Sequence, residues 1–266
     1  GVGFTDGYPG VSKLNTPYNL MCGLVYCLVA DSGNHAIRKV DIVSGYMSTL
    51  AGSGTAGYND AVGVLAQFNK PVDVTLDWTE SYAYVSDYNN NCIRRIDLTT
   101  AAVVVFAGTC TTTATTSTIN NNAGDTLFNL PRGLAITDDM GWLIVVDTNN
   151  VRKIDLVTLS VSLVLTLSAS QTAGYPLGLD VFGPKLYIAF ESDHQIQQAD
   201  WTTPTPTLSV LAGDGTNGLV DNVNGAAAKF YNPTGVAVDF AGQSLLVADS
   251  RDHTIRMIDL SSTPVS

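Results

Sequence analysis

Short runs of alternating apolar and polar residues, broken at close intervals by turn-forming residues, extend along the whole chain. Pro71-Val72-Asp73-Val74-Thr75-Leu76 alternates and is rich in β-branched residues, which predicts a strand. Asp77-Trp78-Thr79-Glu80-Ser81 reads as a turn, and Tyr82 to Asp87 as a second strand. Tyr88-Asn89-Asn90-Asn91 predicts another turn, because Asn tolerates left-handed backbone. Cys92 to Leu98 and Val103 to Ala107 complete a set of four strands. No stretch shows helical periodicity. Four short antiparallel strands per unit describe a β-propeller blade.

The unit recurs. Val29-Ala30-Asp31-Ser32-Gly33-Asn34-His35-Ala36-Ile37-Arg38-Lys39-Val40-Asp41 returns, with drift, as Val85 to Asp97, Val146 to Asp155, Ala189 to Asp200 and Val247 to Asp259. The closing Asp stands at 41, 97, 155, 200 and 259, so the steps are 56, 58, 45 and 59 residues. Such a period marks a solenoid or propeller. First strands are introduced by Leu14-Asn15-Thr16-Pro17, Phe68-Asn69-Lys70-Pro71, Phe128-Asn129-Leu130-Pro131 and Tyr231-Asn232-Pro233. Pro at a strand's first residue removes no ladder hydrogen bond. Gly133, Gly178 and Gly235 suit the crowded channel side, where innermost strands converge. Glycine-rich loops such as Ala51 to Asp60 and Ala212 to Asp221 join the blades; their spacing matches no phosphate-binding motif.

These phrases together resemble the NHL repeat, named for its Asn-His-Leu core. Asn34-His35, Asp193-His194 and Asp252-His253 hold its first two positions, with Ala36, Gln195 and Thr254 replacing the Leu. Leu-Ala-Gly, Phe-Asn-x-Pro and Pro233 to Asp239 also look like this family, and the likeness covers essentially all 266 residues. The resemblance implies an all-β fold, a propeller commonly of six blades. Five blades are readable here, the last without most of its outer strand. A sixth blade outside this sequence and an imperfectly closed five-bladed ring both fit. One propeller domain over 1–266, a fragment of a longer protein, is expected.

Composition narrows the partners. The net charge is −11, and seven of the 13 basic residues lie inside the repeated phrase beside its aspartates. No basic stripe remains, so nucleic-acid binding is not expected. No apolar run reaches the roughly 18 residues of a membrane helix, so this segment is not expected to insert.

Four cysteines suggest two bridges. Cys22 and Cys27 flank a short turn, and Cys92 and Cys110 each stand nine residues from Ala101 at the hairpin's turn. Both spacings fit cross-strand disulfides, which points to an extracellular or lumenal setting.

Recurrence also filters the candidate chemistry. His35, His194 and His253 occupy one position of three different blades, too far apart for zinc ligands at about 2.0–2.1 Å. Asp31 with Arg38, Asp87 with Arg94, Asp147 with Arg152 and Asp249 with Arg256 recur as pairs. The fourth blade replaces both partners, with Phe190 and Gln197, as a structural pair would require. Asp6, Asp60 and Asp221 could suggest calcium, but one Asp per loop supplies too few of its six to eight oxygens. No cofactor is therefore expected.

What does not repeat is the Thr/Asn run from Cys110 to Asn122, the two cysteine pairs, and the eroded fourth blade with Glu191, Asp193 and His194. Tyr58, Tyr88, Asn89, Asn90, Asn149, Asn150, Asp193, His194, Asp252 and His253 form a candidate contact face. Apart from Asp193 and Asp252 it is uncharged, and it is hydrogen-bonding, suited to protein or glycan. The leading expectation is a non-catalytic interaction module; its partner could also be another domain of its own chain or a second copy. A building block of an extracellular filament is one alternative. A metal-dependent lyase or esterase is another, but first strands carry only Asp73, Asp180 and Asp239, without His.

Overall fold

The computed structural model describes residues 1–111, 124 and 126–261. Most of the Thr/Asn run lies outside the described residues.

The expected blades form. Blade one comprises β1 (Pro17–Cys22), β2 (Tyr26–Asp31), β3 (Ala36–Asp41) and β4 (Met47–Ala51). Blade two comprises β5 (Pro71–Leu76), β6 (Tyr82–Asp87), β7 (Cys92–Asp97) and β8 (Val103–Ala107). Blade three comprises β9 (Leu134–Ile136), β10 (Trp142–Val146), β11 (Asn150–Asp155) and β12 (Val161–Thr166). Blade four comprises β13 (Pro176–Phe182), β14 (Lys185–Phe190), β15 (Gln195–Asp200) and β16 (Ser209–Ala212). Blade five has β17 (Pro233–Val238), β18 (Ser244–Asp249) and β19 (Thr254–Asp259), with no fourth strand among the described residues. Every sheet is an antiparallel meander, and the five form a propeller with first strands around a central channel. One short helix, α1 (Ala169–Ala173), departs from the expectation of none. Ser168 and Gln171 close a capping box at its start, and five residues are too few to leave a periodic signal.

The repeated phrase builds each blade's polar spine. Arg38 and Arg94 are fully buried, bonded to Asp31 (2.8 Å) and Asp87 (3.0 Å) of their own blades. Each also reaches a carboxylate in the interblade loop: Asp6 for Arg38, Asp60 for Arg94 and, in blade five, Asp221 for Arg256. The loop aspartates weighed for calcium thus sit on arginines. Aromatic rings roof these guanidiniums, Phe68 over Arg94 and Phe230 over Arg256 at 5.3 and 4.5 Å. In blade four the spine is replaced by buried Phe190 and by Gln197, which accepts from Gln171 of α1. The closing aspartates cap the next turn: Asp97 accepts from Thr99 and Thr100 N–H, Asp155 from Val157 and Thr158. Both disulfides form, Cys22–Cys27 and Cys92–Cys110.

Blades pack through apolar faces. Leu28, Ala30 and Ile37 of blade one meet Val74, Val85 and Ile96 of blade two, and the pattern recurs at the next three junctions. Between blade five and blade one, no such cluster exists among the described residues. Ile255 is 71% exposed there, although its equivalents Ile37, Ile93, Val151 and Ile196 are fully buried. Leu246 and Met257 on the same face, and Leu20 on the opposing blade, are exposed as well.

Candidate functional site

The histidines act as stitches between blades. His35 and His194 have left-handed φ of 51° and 54°, which turns each ring toward the following blade. His35 Nδ1 accepts from Lys70 N–H at 3.1 Å, and His194 Nδ1 from Asn232 N–H at 3.3 Å. Asn91 does the same in blade two, accepting from Leu130 N–H at 2.9 Å. Burial holds the His35 imidazole below its ordinary pKa, and Lys70 adds to this. An acceptor Nδ1 requires that neutral form. His253 has the same backbone conformation but is exposed, on the fifth described blade.

The channel's carboxylates are likewise engaged by the scaffold. Asp73 accepts from Val74 N–H at 2.7 Å and from Leu134 N–H of the next blade at 2.8 Å. Asp180 accepts from Val181 N–H at 2.8 Å and from Val238 N–H of the next blade at 2.7 Å. Burial pushes Asp73 up to about 8 and Asp180 up to about 6. Asp239 is half-buried; desolvation is its largest single effect and raises it, but hydrogen bonds from Gln243, Ser244 and Gly242 together hold it below the usual carboxylate range. Gly133 and Gly178 face the channel as expected. A Cβ on Gly133 would lie 2.5 Å from Leu177 O, and one on Gly178 2.6 Å from Thr234 O.

The contact-face residues divide. Asn90 and Asn150 are buried, and Asn90 donates to Asp87 and to Gly57 O, both at 2.8 Å. Asn150 N–H and Asn149 N–H donate to Asp147. Tyr58 lays its ring over Arg94, 5.0 Å from the guanidinium carbon. Asn89 bonds to Asn69 at 3.2 Å. Tyr88, Asp193, His194 and Asp252 are half-buried, and His253 is exposed.

Where these turns meet the channel, a second set of residues gathers that the repeat does not require. Arg132 is 3% exposed and lies between two tyrosines, its guanidinium carbon 4.0 Å from the Tyr175 ring centre and 5.7 Å from that of Tyr88. Its Nη1 donates to Pro176 O at 3.2 Å, and its Nε has no partner. The neighbouring Tyr88 hydroxyl raises the Tyr175 phenol, while Arg132 opposes the shift. Tyr18, exposed at this mouth, stands close enough to feel both Arg132 and Glu191; its phenol is raised chiefly by desolvation. Tyr18, Asn19, Arg132, Gly133, Leu177 and Gly178 line one wall of a cavity of about 330 Å³ at this mouth. The opposite mouth holds a larger cavity of about 590 Å³, bordered by exposed Trp78 and Phe240 and by Asp138 and Asp239.

Sequence reasoning reached Tyr88 but not Arg132, Tyr18 or Tyr175. A signal was there: Arg132 fills the variable place of Pro-x-Gly, where the other blades carry Tyr18, Val72, Leu177 and Thr234. It is the one cation among them.

The NHL repeat family matches residues 230–256. The bovine NHL repeat-containing protein 2 is 34% identical over 99% of this chain, and the human protein of the same name 25%. The Arabidopsis thaliana protein Suppressor of quenching 1, chloroplastic, is 28% identical over 97% of the chain. The chain spans 42% of the human and bovine proteins and 26% of the Arabidopsis one. Among solved structures, a chain of a nidogen/laminin complex superposes with a TM-score of 0.64 at 14% identity, over 94% of this chain and 78% of that one. An auxiliary nutrient binding protein from Bacteroides ovatus superposes with a TM-score of 0.58, also at 14% identity, over 95% and 71%. With the repeated phrase seated in every blade and these likenesses along its length, the chain belongs to the NHL-repeat β-propellers.

Proposed function

We propose that this propeller is a non-catalytic binding module that engages a protein or glycan partner through the face carrying the turns between second and third strands. The observation that carries this reading is the convergence of Tyr18, Tyr88, Arg132 and Tyr175, none needed by the repeat, at that face's channel mouth. Aromatic and arginine side chains are the residue types that dominate binding energy at protein contacts. The groups an enzyme reading would use are engaged otherwise. Asp73 and Asp180 each accept two backbone N–H groups, and His35 and His194 each accept one. The fold is shared with chains from a nidogen/laminin complex and from nutrient binding proteins, which fits a binding role. Two disulfides support an extracellular or lumenal setting.

The test is surface plasmon resonance of the chain against panels of matrix proteins and glycans. Tyr88→Ala and Asn89→Ala should weaken any hit at least tenfold, with the unfolding midpoint unchanged. Binding that survives both but is lost on Trp78→Ala or Phe240→Ala would move the site to the opposite mouth and overturn the assignment.

A second reading, self-assembly, is favoured by the apolar face of blade five, where Leu246, Ile255 and Met257 are exposed opposite Leu20. A second copy could seat the face of its first blade there, as blade two seats on blade one. Light scattering over a concentration series should then show mass growing beyond a monomer, and Ile255→Lys should abolish the growth.

A further inference from the structure

Every other buried guanidinium of this protein faces an aspartate. Arg38 and Arg256 contact two carboxylates each, one from their own blade and one from the interblade loop, and Arg94 does likewise. Arg152 stands 3.7 Å from Asp147. Arg132 breaks this rule. It is 3% exposed, yet among the described residues no carboxylate lies within ion-pair distance of it. Its Nε has no hydrogen-bond partner, as in Arg38 and Arg94, but where those arginines have carboxylates it has one carbonyl accepting from Nη1 and the Tyr175 ring against its face. A guanidinium carries five N–H donors in a planar fork, so most of its bonding capacity is unused. Burying a cation without a counter-charge is costly, and two ring faces offset only part of that cost.

The surroundings are those of a receptor. Arg132 borders the cavity of about 330 Å³ at the turn-face mouth, with Tyr18 on the same lining. Gly133 and Gly178 leave backbone, not side chain, on the floor beside it. Leu177 and Val236 add apolar wall. The site has one cation, Arg132, and one carboxylate, Asp73, whose oxygens are taken by the Val74 and Leu134 N–H groups; Tyr18 is its aromatic lining and Leu177 and Val236 its apolar wall.

We propose that Arg132 anchors a binding site for a carboxylate group, held by the guanidinium fork with its organic body against the tyrosines and the apolar wall. The inference deepens the binding-module reading and rests on it. A carboxylate suits the place better than a phosphate. The fork takes a carboxylate side-on through two parallel bonds. There is no second cation on the cavity wall to match a dianion, and Glu191 stands near enough to Tyr18 to raise its phenol, so a second negative charge would be opposed. The acidic chain, with net charge −11, repels anions at long range, so recognition depends on this local contact.

The carboxylate could be that of a sugar acid or of an acidic side chain on a protein partner. Titration calorimetry on the intact chain separates them, using glucuronate and N-acetylglutamate amide, each beside its neutral counterpart, glucose and N-acetylglutamine amide. Saturable binding of at least one acid, and at least tenfold weaker binding of its neutral counterpart, is expected. Glucuronate alone identifies the sugar acid, N-acetylglutamate amide alone the protein side chain, and binding of both shows that the carboxylate group suffices. Arg132→Gln should lose at least tenfold in affinity with an unchanged unfolding midpoint, and Arg132→Lys should recover part of it. Should the variants fail to fold, the acid-against-neutral comparison on the unaltered chain decides. No saturable binding of either acid, equal binding of the neutral compounds, or full affinity in folded Arg132→Gln would overturn the proposal. If the acids fail while a partner still binds through Tyr88 and Asn89, this inference falls and the binding-module reading stands.

Discussion

Removing the Asp87 carboxylate alone should destabilise the protein more than its share of a double removal with Arg94. Asp87 and Arg94 are both fully buried, with Nη1 3.0 Å from Oδ2. Asp87 also accepts from Asn69 N–H at 2.7 Å and from Asn90 Nδ2 at 2.8 Å. In Asp87→Ala the cation keeps Gln67 O, Asn59 O and the partly solvated Asp60, but faces an apolar wall where its buried partner stood. Breaking one side of a buried pair costs about 3–5 kcal/mol. Arg94→Met keeps most of the side-chain volume and strands Asp87 in turn, at a similar cost of about 3–5 kcal/mol. With both groups gone, neither charge is left uncompensated, so the double variant should cost about 2–3 kcal/mol less than the two singles added together. Blade four has already made the joint replacement, with buried Phe190 and Gln197, and it folds in register with the rest. Urea unfolding followed by tryptophan fluorescence gives all four stabilities. Additivity within about 0.5 kcal/mol would show that the two groups do not act as a pair and would refute the reasoning.

Ile93→Ala and Ile255→Ala change equivalent positions, one fully buried and one 71% exposed. The first should cost about 2–5 kcal/mol and the second within about 0.5 kcal/mol, and equal losses in urea melts would mean that the face of blade five is covered. His35→Asn copies the Asn91 stitch. Because burial lowers the folded-state pKa of His35, its contribution is complete above the ordinary imidazole range and is lost as pH falls below about 6.5. The variant should therefore match the parent at pH 8 and outlast it at pH 5 in thermal melts, and parallel losses would discount the stitch. Asp73 carries the opposite sign. With a folded-state pKa of about 8 against about 3.9 unfolded, its contribution is complete below pH 4 and declines as pH rises to 8. The stability of the parent relative to Asp73→Asn should thus fall across that window, and a flat difference would mean that Asp73 does not titrate there. Reducing Cys92–Cys110, with a sequence separation of 18, should cost about 3 kcal/mol by loop-closure entropy, read as a lower urea midpoint in dithiothreitol.

Much of this protein was legible from residue order, because period-two alternation and turn residues act over a few neighbours. The strands of blade two, Pro71–Leu76 and Tyr82–Asp87, begin and end where the pattern places them. The Asp–Arg pairs were legible for another reason: five copies show which residues vary together, and blade four lost both partners at once. Even the cysteine pairing followed, since both bridges span single hairpins whose turns are local. The five-residue helix α1 was not legible, because it is too short to show a period.

The site was less accessible. Nothing along the chain places Tyr18, Tyr88, Arg132 and Tyr175 together; they come from four blades and meet only because first strands converge on one axis. Conversely, Asn90 and Asn150 looked like surface amides and are buried: the Asn90 amide donates to Asp87 of the same turn, and the Asn150 side-chain oxygen accepts from the Thr166 hydroxyl of the next strand. Nor does the order of residues say that Ile255 is exposed while Ile93 is not, since the two occupy identical phrases. The sequence by itself determined the strands, the blade and the repeat, all of which rest on contacts between near neighbours. Only the tertiary structure decided which equivalent residues find a covering blade, and that one buried arginine borders a cavity with no carboxylate at ion-pair distance among the described residues, because both depend on what lies across the ring.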